Sequence, residues 1–230
     1  MVNLRSNWVR EALAVWRKDI TAEWRSRHGV LTALLFGVMT VIALGLATST
    51  SSGQLSADVQ SGLLWVALLF TGITALARGF LIEEEQSTAD SLRLAAAPTA
   101  VYFGKLGFHL TLLTVLGIVI IPLFILLLGV KPANWGLFLL ILLLGGLCLT
   151  VGITTCGALV AKANSRGTLL AVIAFPILIP QIALAVTGTK AALIGGIELS
   201  YAWSSIGGLL AYLIALTALS PLIFRFIWRE

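Results

Sequence analysis

The sequence predicts an all-α membrane protein with six transmembrane helices, built as a single transmembrane domain over residues 1–230. Three observations carry this. Only 11% of the residues are charged and 59% are hydrophobic, with a mean hydropathy of +1.02. A soluble domain carries about 25% charged residues to cover itself with a wetted surface. The apolar residues fall in blocks near the ~20 that a helix needs to cross a ~30 Å hydrocarbon core. No segment of about ten residues alternates in polarity as barrel strands do.

Residues 1–27 are basic and rich in Trp. On a helix, Val9, Leu13, Trp16, Ile20 and Trp24 share one face, with Arg10, Arg17, Lys18 and Arg25 on the other side. This is the pattern of an interfacial helix with its cations toward anionic headgroups. Arg5, Asp19, Glu23 and Arg27 intrude on the apolar face. A cleaved signal peptide fits poorly, because the charged region is too long and no clear cleavage site follows. The spans then read as about 29–48, 61–82, 106–129 (containing Pro122), 136–161, 168–187 and 203–224. Residues 188–202 are open between a small outer helix and a re-entrant piece.

Charge sets the expected orientation. With the N-terminus inside, all but Lys131 and Lys190 of the 15 Lys and Arg residues fall on the inner side. The positive-inside rule places both termini in the cytoplasm. Arg78 lies near the inner end of span two, where it can snorkel. The net charge of +5 therefore needs no nucleic acid, and no basic stripe carries interleaved aromatics.

Few residues in the spans carry chemistry. Cys148 and Cys156 are eight apart, ~12 Å along one helix, which is too far for a disulfide. With Gly152 they form a row of small residues suited to close helix packing, as do Gly207, Ala211 and Ala215 in span six. Pro176 and Pro180 free backbone carbonyls in span five, either as a hinge or as a packed kink. His28 and His109 could each ligate iron through a ring nitrogen, and each is more readily explained as a polar anchor. No phosphate loop is present, since Gly104-Lys105 is preceded at the required place by Thr99. No Cys-x-x-Cys-His motif is present for covalent heme attachment.

The informative stretch is Glu83-Glu84-Glu85 through Ser87, Asp90, Leu92 and Leu94 to Pro98 and Gly104-Lys105. Ser87 with Asp90 is a capping pair for a short polar helix over 83–98, which Pro98 ends, and Thr99 can cap the next helix. Such a helix, held between two spans, can dock a soluble partner and pass movement to both. The alternative is an ordinary solvated loop.

This stretch resembles the first cytoplasmic loop of the heme exporter protein B family. The shared pattern falls on Glu83, Glu85, Asp90, Leu92, Leu94, Pro98, Gly104 and Lys105, with Ser87 where the family commonly has Gly. Gly62 to Leu69 is similar to the family's second span, and Phe175 to Pro180 to its fifth, so the resemblance covers nearly the whole chain. It implies an ABC-2-type permease architecture with a cytoplasmic coupling helix. The ATPase-coupling residues it implies are Glu83, Glu84, Glu85, Asp90, Leu92, Leu94, Pro98 and Lys105. The implied partners are an ABC ATPase subunit that binds ATP, a second copy of the chain, a Trp-rich heme-handling membrane subunit and a small single-span subunit. The implied role is to couple ATP hydrolysis to heme-related export or release of a heme-loaded chaperone in cytochrome c assembly. Two other readings stay open at this point: an ABC-2-type permease for a drug or polysaccharide, and a secondary transporter.

Overall fold

The computed structural model describes residues 8–49, 55–76, 79, 92, 94–160, 166–196 and 199–229. The described residues hold seven helices and no strand. They are α1 (Trp8–Ser26), α2 (His28–Ser49), α3 (Ala57–Leu76), α4 (Pro98–Leu128), α5 (Trp135–Val160), α6 (Arg166–Ile194) and α7 (Leu199–Arg229). Helices α2 to α7 are each long and apolar enough to cross a membrane. Helical backbone satisfies its own hydrogen bonds, which is why an apolar block of this length can lie in lipid.

Helix boundaries depart most from expectation at two places. Helix α4 starts at Pro98, eight residues before the apolar block does. Pro98 is its first helical residue, where a missing N–H costs nothing, and the preceding Ala97 offers no side-chain cap. Thr99 is therefore inside α4 and not its cap. At the other end of the bundle, α6 runs on to Ile194, so most of 188–202 is the end of α6 and the start of α7. Gly195 and Gly196, both at positive φ, make the turn between them.

Helix α5 is the centre of the bundle, buried at every residue from Cys148 to Ala158. Its row of small residues does serve close packing: a Cβ on Gly152 would lie 2.7 Å from Leu178 Cδ2 on α6. The tightest approach is at Gly145. There Trp65 of α3 is fully buried, and a Cβ on Gly145 would lie 2.2 Å from its ring. The Trp65 indole N–H donates to Thr189 Oγ1 on α6 at 2.9 Å, so the one polar atom of the ring is satisfied. By contrast, Gly207, Ala211 and Ala215 on α7 are exposed, and a Cβ on Gly207 would meet nothing within 4 Å among the described residues.

Contacts at the two ends show the helices alternating in direction. At the end away from α1, Lys190 pairs with Asp58 at 2.7 Å, and the Asn134 N–H donates to the Ala192 carbonyl at 3.1 Å. The opposite end, where α1 lies, holds the polar residues described next.

Candidate coupling site at the α1 end of the bundle

Helix α1 has three faces. Its basic face, with Arg17, Lys18 and Arg25, is exposed. The expected apolar stripe is largely exposed too: Val9, Leu13 and Trp24 point away from the protein, while Trp16 and Ile20 are half-buried. The third face was not expected. Glu11, Val15, Asp19 and Glu23 recur every four residues, and this is the side applied to the bundle, with Val15 and Asp19 buried. Asp19, which reads in sequence as a flaw in an amphipathic face, is thus the centre of the contact.

Each of the three carboxylates has a partner. Asp19 Oδ2 accepts from Lys105 Nζ of α4 at 3.1 Å. The same ammonium donates to the carbonyl of Gly79, just beyond α3, at 2.9 Å. Glu11 Oε2 accepts the backbone N–H of Ala97 at 2.9 Å, supplying from α1 the acceptor that the start of α4 lacks. Glu23 Oε1 accepts the N–H of Val30 at 2.8 Å and so caps α2. The two helices come close enough for this because of Gly104, where a Cβ would be 2.7 Å from the Ala12 carbonyl and from Val15 Cβ. Farther along, Trp16 Nε1 donates to Thr111 Oγ1 at 3.2 Å.

Lys105 is 2% exposed. Its charge is therefore held inside the bundle. The reason is the early start of α4, which carries residue 105 into the bundle. A buried ammonium is stable only where paired, and Asp19 pairs it.

Two further polar groups lie beneath. His109 is fully buried, with Nδ1 2.8 Å from Thr154 Oγ1 on α5. The Thr154 hydroxyl donates to the Thr150 carbonyl, so it accepts from His109 and the ring proton sits on Nδ1. The other ring nitrogen faces Gly79 so closely that a Cβ there would be 2.2 Å away. That leaves no room for iron in a porphyrin plane, and His109 does not fit a heme ligand. His28 is exposed at the start of α2, and no group of three His, Cys, Asp or Glu gathers among the described residues. A second set joins α4, α5 and α7: Tyr102 OH to Thr155 Oγ1 at 3.2 Å, and Thr155 Oγ1 to Ser220 Oγ at 2.7 Å.

An aromatic platform completes this end. Tyr102 packs on Phe224 with ring centroids 5.6 Å apart, and Phe224 on Trp228 at 5.0 Å. Leu92 rests against this cluster, and the Leu92 carbonyl accepts the Ala96 N–H at 3.1 Å, closing one helical turn. Leu94, two residues on, is 91% exposed. The Leu-x-Leu pair is therefore divided: Leu92 anchors the turn and Leu94 projects from it. Glu83, Glu84, Glu85 and Asp90 lie outside the described residues. Pro176 and Pro180 both face outward on α6, while Leu178 and Gln181 face the core.

Sequence reasoning missed Glu11, Asp19, Tyr102, Thr155 and Ser220. A signal existed for the first two, which with Glu23 are acids spaced by eight and four on an otherwise basic helix. Thr150, Thr154 and Thr155 were a second one, a polar cluster in an apolar span.

The model of the CcmB protein family matches residues 10–226. The chain belongs to the CcmB family. CcmB proteins are the permease subunits of the heme exporter of cytochrome c biogenesis, and the six apolar helices fit a multi-pass membrane protein. The match to CcmB begins inside α1, so the surface helix and its acidic face fall within the family region. No curated protein matches the chain.

Proposed function

We propose that this chain is the membrane subunit through which a separate ATPase drives heme-related export, or release of a heme-loaded chaperone, in cytochrome c assembly. Both termini and the α1 end of the bundle lie in the cytoplasm of a bacterial inner membrane protein. The segment 83–98 is the dock for the ATPase. A second copy of the chain, a Trp-rich heme-handling subunit and a small single-span subunit complete the assembly. Heme is cargo of the complex, and no residue of this chain is assigned to its iron.

The observation that carries this reading is the way α1 holds both flanks of the segment. Lys105, paired with Asp19, binds the Gly79 carbonyl before it, and Glu11 binds the N–H of Ala97 at its end. A force applied to the segment therefore reaches α3, α4 and α1 together. Lys105 acts from inside, as a positioning residue. Leu94 is the surface contact, since an exposed leucine beside an acidic run is suited to an apolar socket on a partner.

Leu94→Asp should weaken binding of the co-purifying ATPase by about tenfold or more, the scale of burying one leucine. The chain should stay inserted. Combined substitution of Glu84, Glu85 and Leu92 should release the ATPase altogether. Unchanged co-purification of both variants would sink the docking claim.

A further inference from the structure

The elbow between α1 and α2 has features that the coupling reading does not use. Helix α1 ends at Ser26, and Arg27 turns the chain with φ +54, the one non-glycine residue at positive φ among those described. A bulky residue there is strained by about 1 kcal/mol or more, and glycine would be cheaper. The turn is nevertheless well held: the Arg27 N–H donates to the Glu23 carbonyl at 2.6 Å, and the Arg27 carbonyl accepts the Leu31 N–H at 3.0 Å. Its effect is to fold the arginine back. Arg27 Nε donates to the Trp24 carbonyl at 3.3 Å, and the guanidinium carbon lies 5.6 Å from the centre of the Trp24 ring.

Below Arg27 is a crevice of about 460 Å³ between α1, α2 and α4. Ile20, Trp24, Leu31, Phe108, Leu112 and Val115 form its walls. Its polar lining groups are engaged elsewhere. The Thr111 hydroxyl donates to the Gly107 carbonyl and accepts from Trp16, and the Glu23 carboxylate caps α2. Arg27, exposed at the rim, is the one cation among the lining residues. The volume is roughly 15 times the ~30 Å³ share of one water molecule, which suits a hydrocarbon chain. Trp24 is 73%, Leu31 52% and Val115 46% exposed, so the crevice opens sideways toward lipid.

We propose that this elbow binds an anionic phospholipid, with one acyl chain in the crevice and the phosphate at Arg27. The order of features matches that ligand: an apolar slot within the hydrocarbon, an indole at the boundary, and a cation at headgroup level. A surface helix buries its apolar side at that boundary. A zwitterionic lipid fills the slot equally well but gains less from the arginine.

The test uses the full chain reconstituted in phosphatidylcholine vesicles that contain a minor fraction of brominated phosphatidylglycerol or brominated phosphatidylcholine. Bromine quenches indole emission at contact, and the difference between the wild type and Trp24→Phe isolates Trp24. Brominated phosphatidylglycerol should quench Trp24 at about one-fifth the mole fraction that brominated phosphatidylcholine needs, the ratio expected for one basic group near an anionic headgroup. Arg27→Lys should keep this preference. Arg27→Gly, which relieves the backbone and keeps the turn, should lose it, and Val115→Phe should reduce quenching by both lipids. Equal quenching by the two lipids overturns the proposal, as does a preference that survives in Arg27→Gly. Loss of the preference on adding inorganic phosphate identifies a free-phosphate site and overturns it too. Quenching that falls as protein density rises assigns the crevice to a second copy instead.

Discussion

Single residues decide how the α1 end is assembled. Asp19 Oδ2 pairs with the buried ammonium of Lys105 at 3.1 Å and its Oδ1 with Lys18 at 3.4 Å, so removing Asp19 takes a carboxylate from a buried charge. Asp19→Ala should cost about 3–5 kcal/mol, read as a lower unfolding temperature in detergent. Replacing both, as Asp19→Leu with Lys105→Met, should recover most of that stability, because an apolar pair of similar volume avoids desolvating two charges. The recovered variant should still couple poorly to the ATPase, since the Gly79 carbonyl has lost its donor. In the middle of the bundle the decisive residue is Gly145. Any side chain there meets the Trp65 ring, and Gly145→Ala should destabilise the bundle by about 1–3 kcal/mol, measurable by the same thermal assay. The sequence showed that these spans have few polar residues. It did not show which ones meet, because Lys105 and Asp19 are 86 residues apart.

At the scale of elements, α1 is more than a membrane-surface helix. Its apolar stripe and basic face were legible from 3.6-residue periodicity. The acidic face was present in the same residues but was masked, because charges on a helix are by default read as solvated. The early start of α4 was hidden for a related reason: hydropathy marks the lipid-crossing part of a helix, and α4 extends one polar stretch beyond it. That extension carries Lys105 inward and lets Ala97 meet Glu11. The turn that holds Leu92 and Leu94 then stands on aromatic rings from α4 and α7. Leu92 and Leu94 should differ accordingly in experiment. Leu92→Ala should lower thermal stability, whereas Leu94→Ala should leave stability unchanged and weaken only the ATPase contact.

For the whole molecule, the charge count makes a topological prediction. In a chain with Cys148 and Cys156 replaced by Ala, Ala133→Cys should react with a membrane-impermeant maleimide on intact cells. Ser26→Cys should react only after permeabilisation. The reverse pattern would invert the orientation and remove the ATPase dock from the cytoplasm. The six spans, their order and the direction of charge bias follow from the sequence by itself, because lipid imposes a simple rule: about twenty apolar residues per helix, with cations kept on one side. The family was also legible, in the ordered set from Glu83 to Lys105 together with the two similar spans, and the match over residues 10–226 bears it out. What only the tertiary structure decided is which polar groups pair inside the bundle. Those pairs join α1 to α4, α4 to α5 and α5 to α7. Hydropathy is a property of one helix at a time, whereas a buried charge or hydroxyl is stabilised by a partner on another. So the surface helix that sequence places against the membrane is held by its acids against the flanks of the segment between α3 and α4.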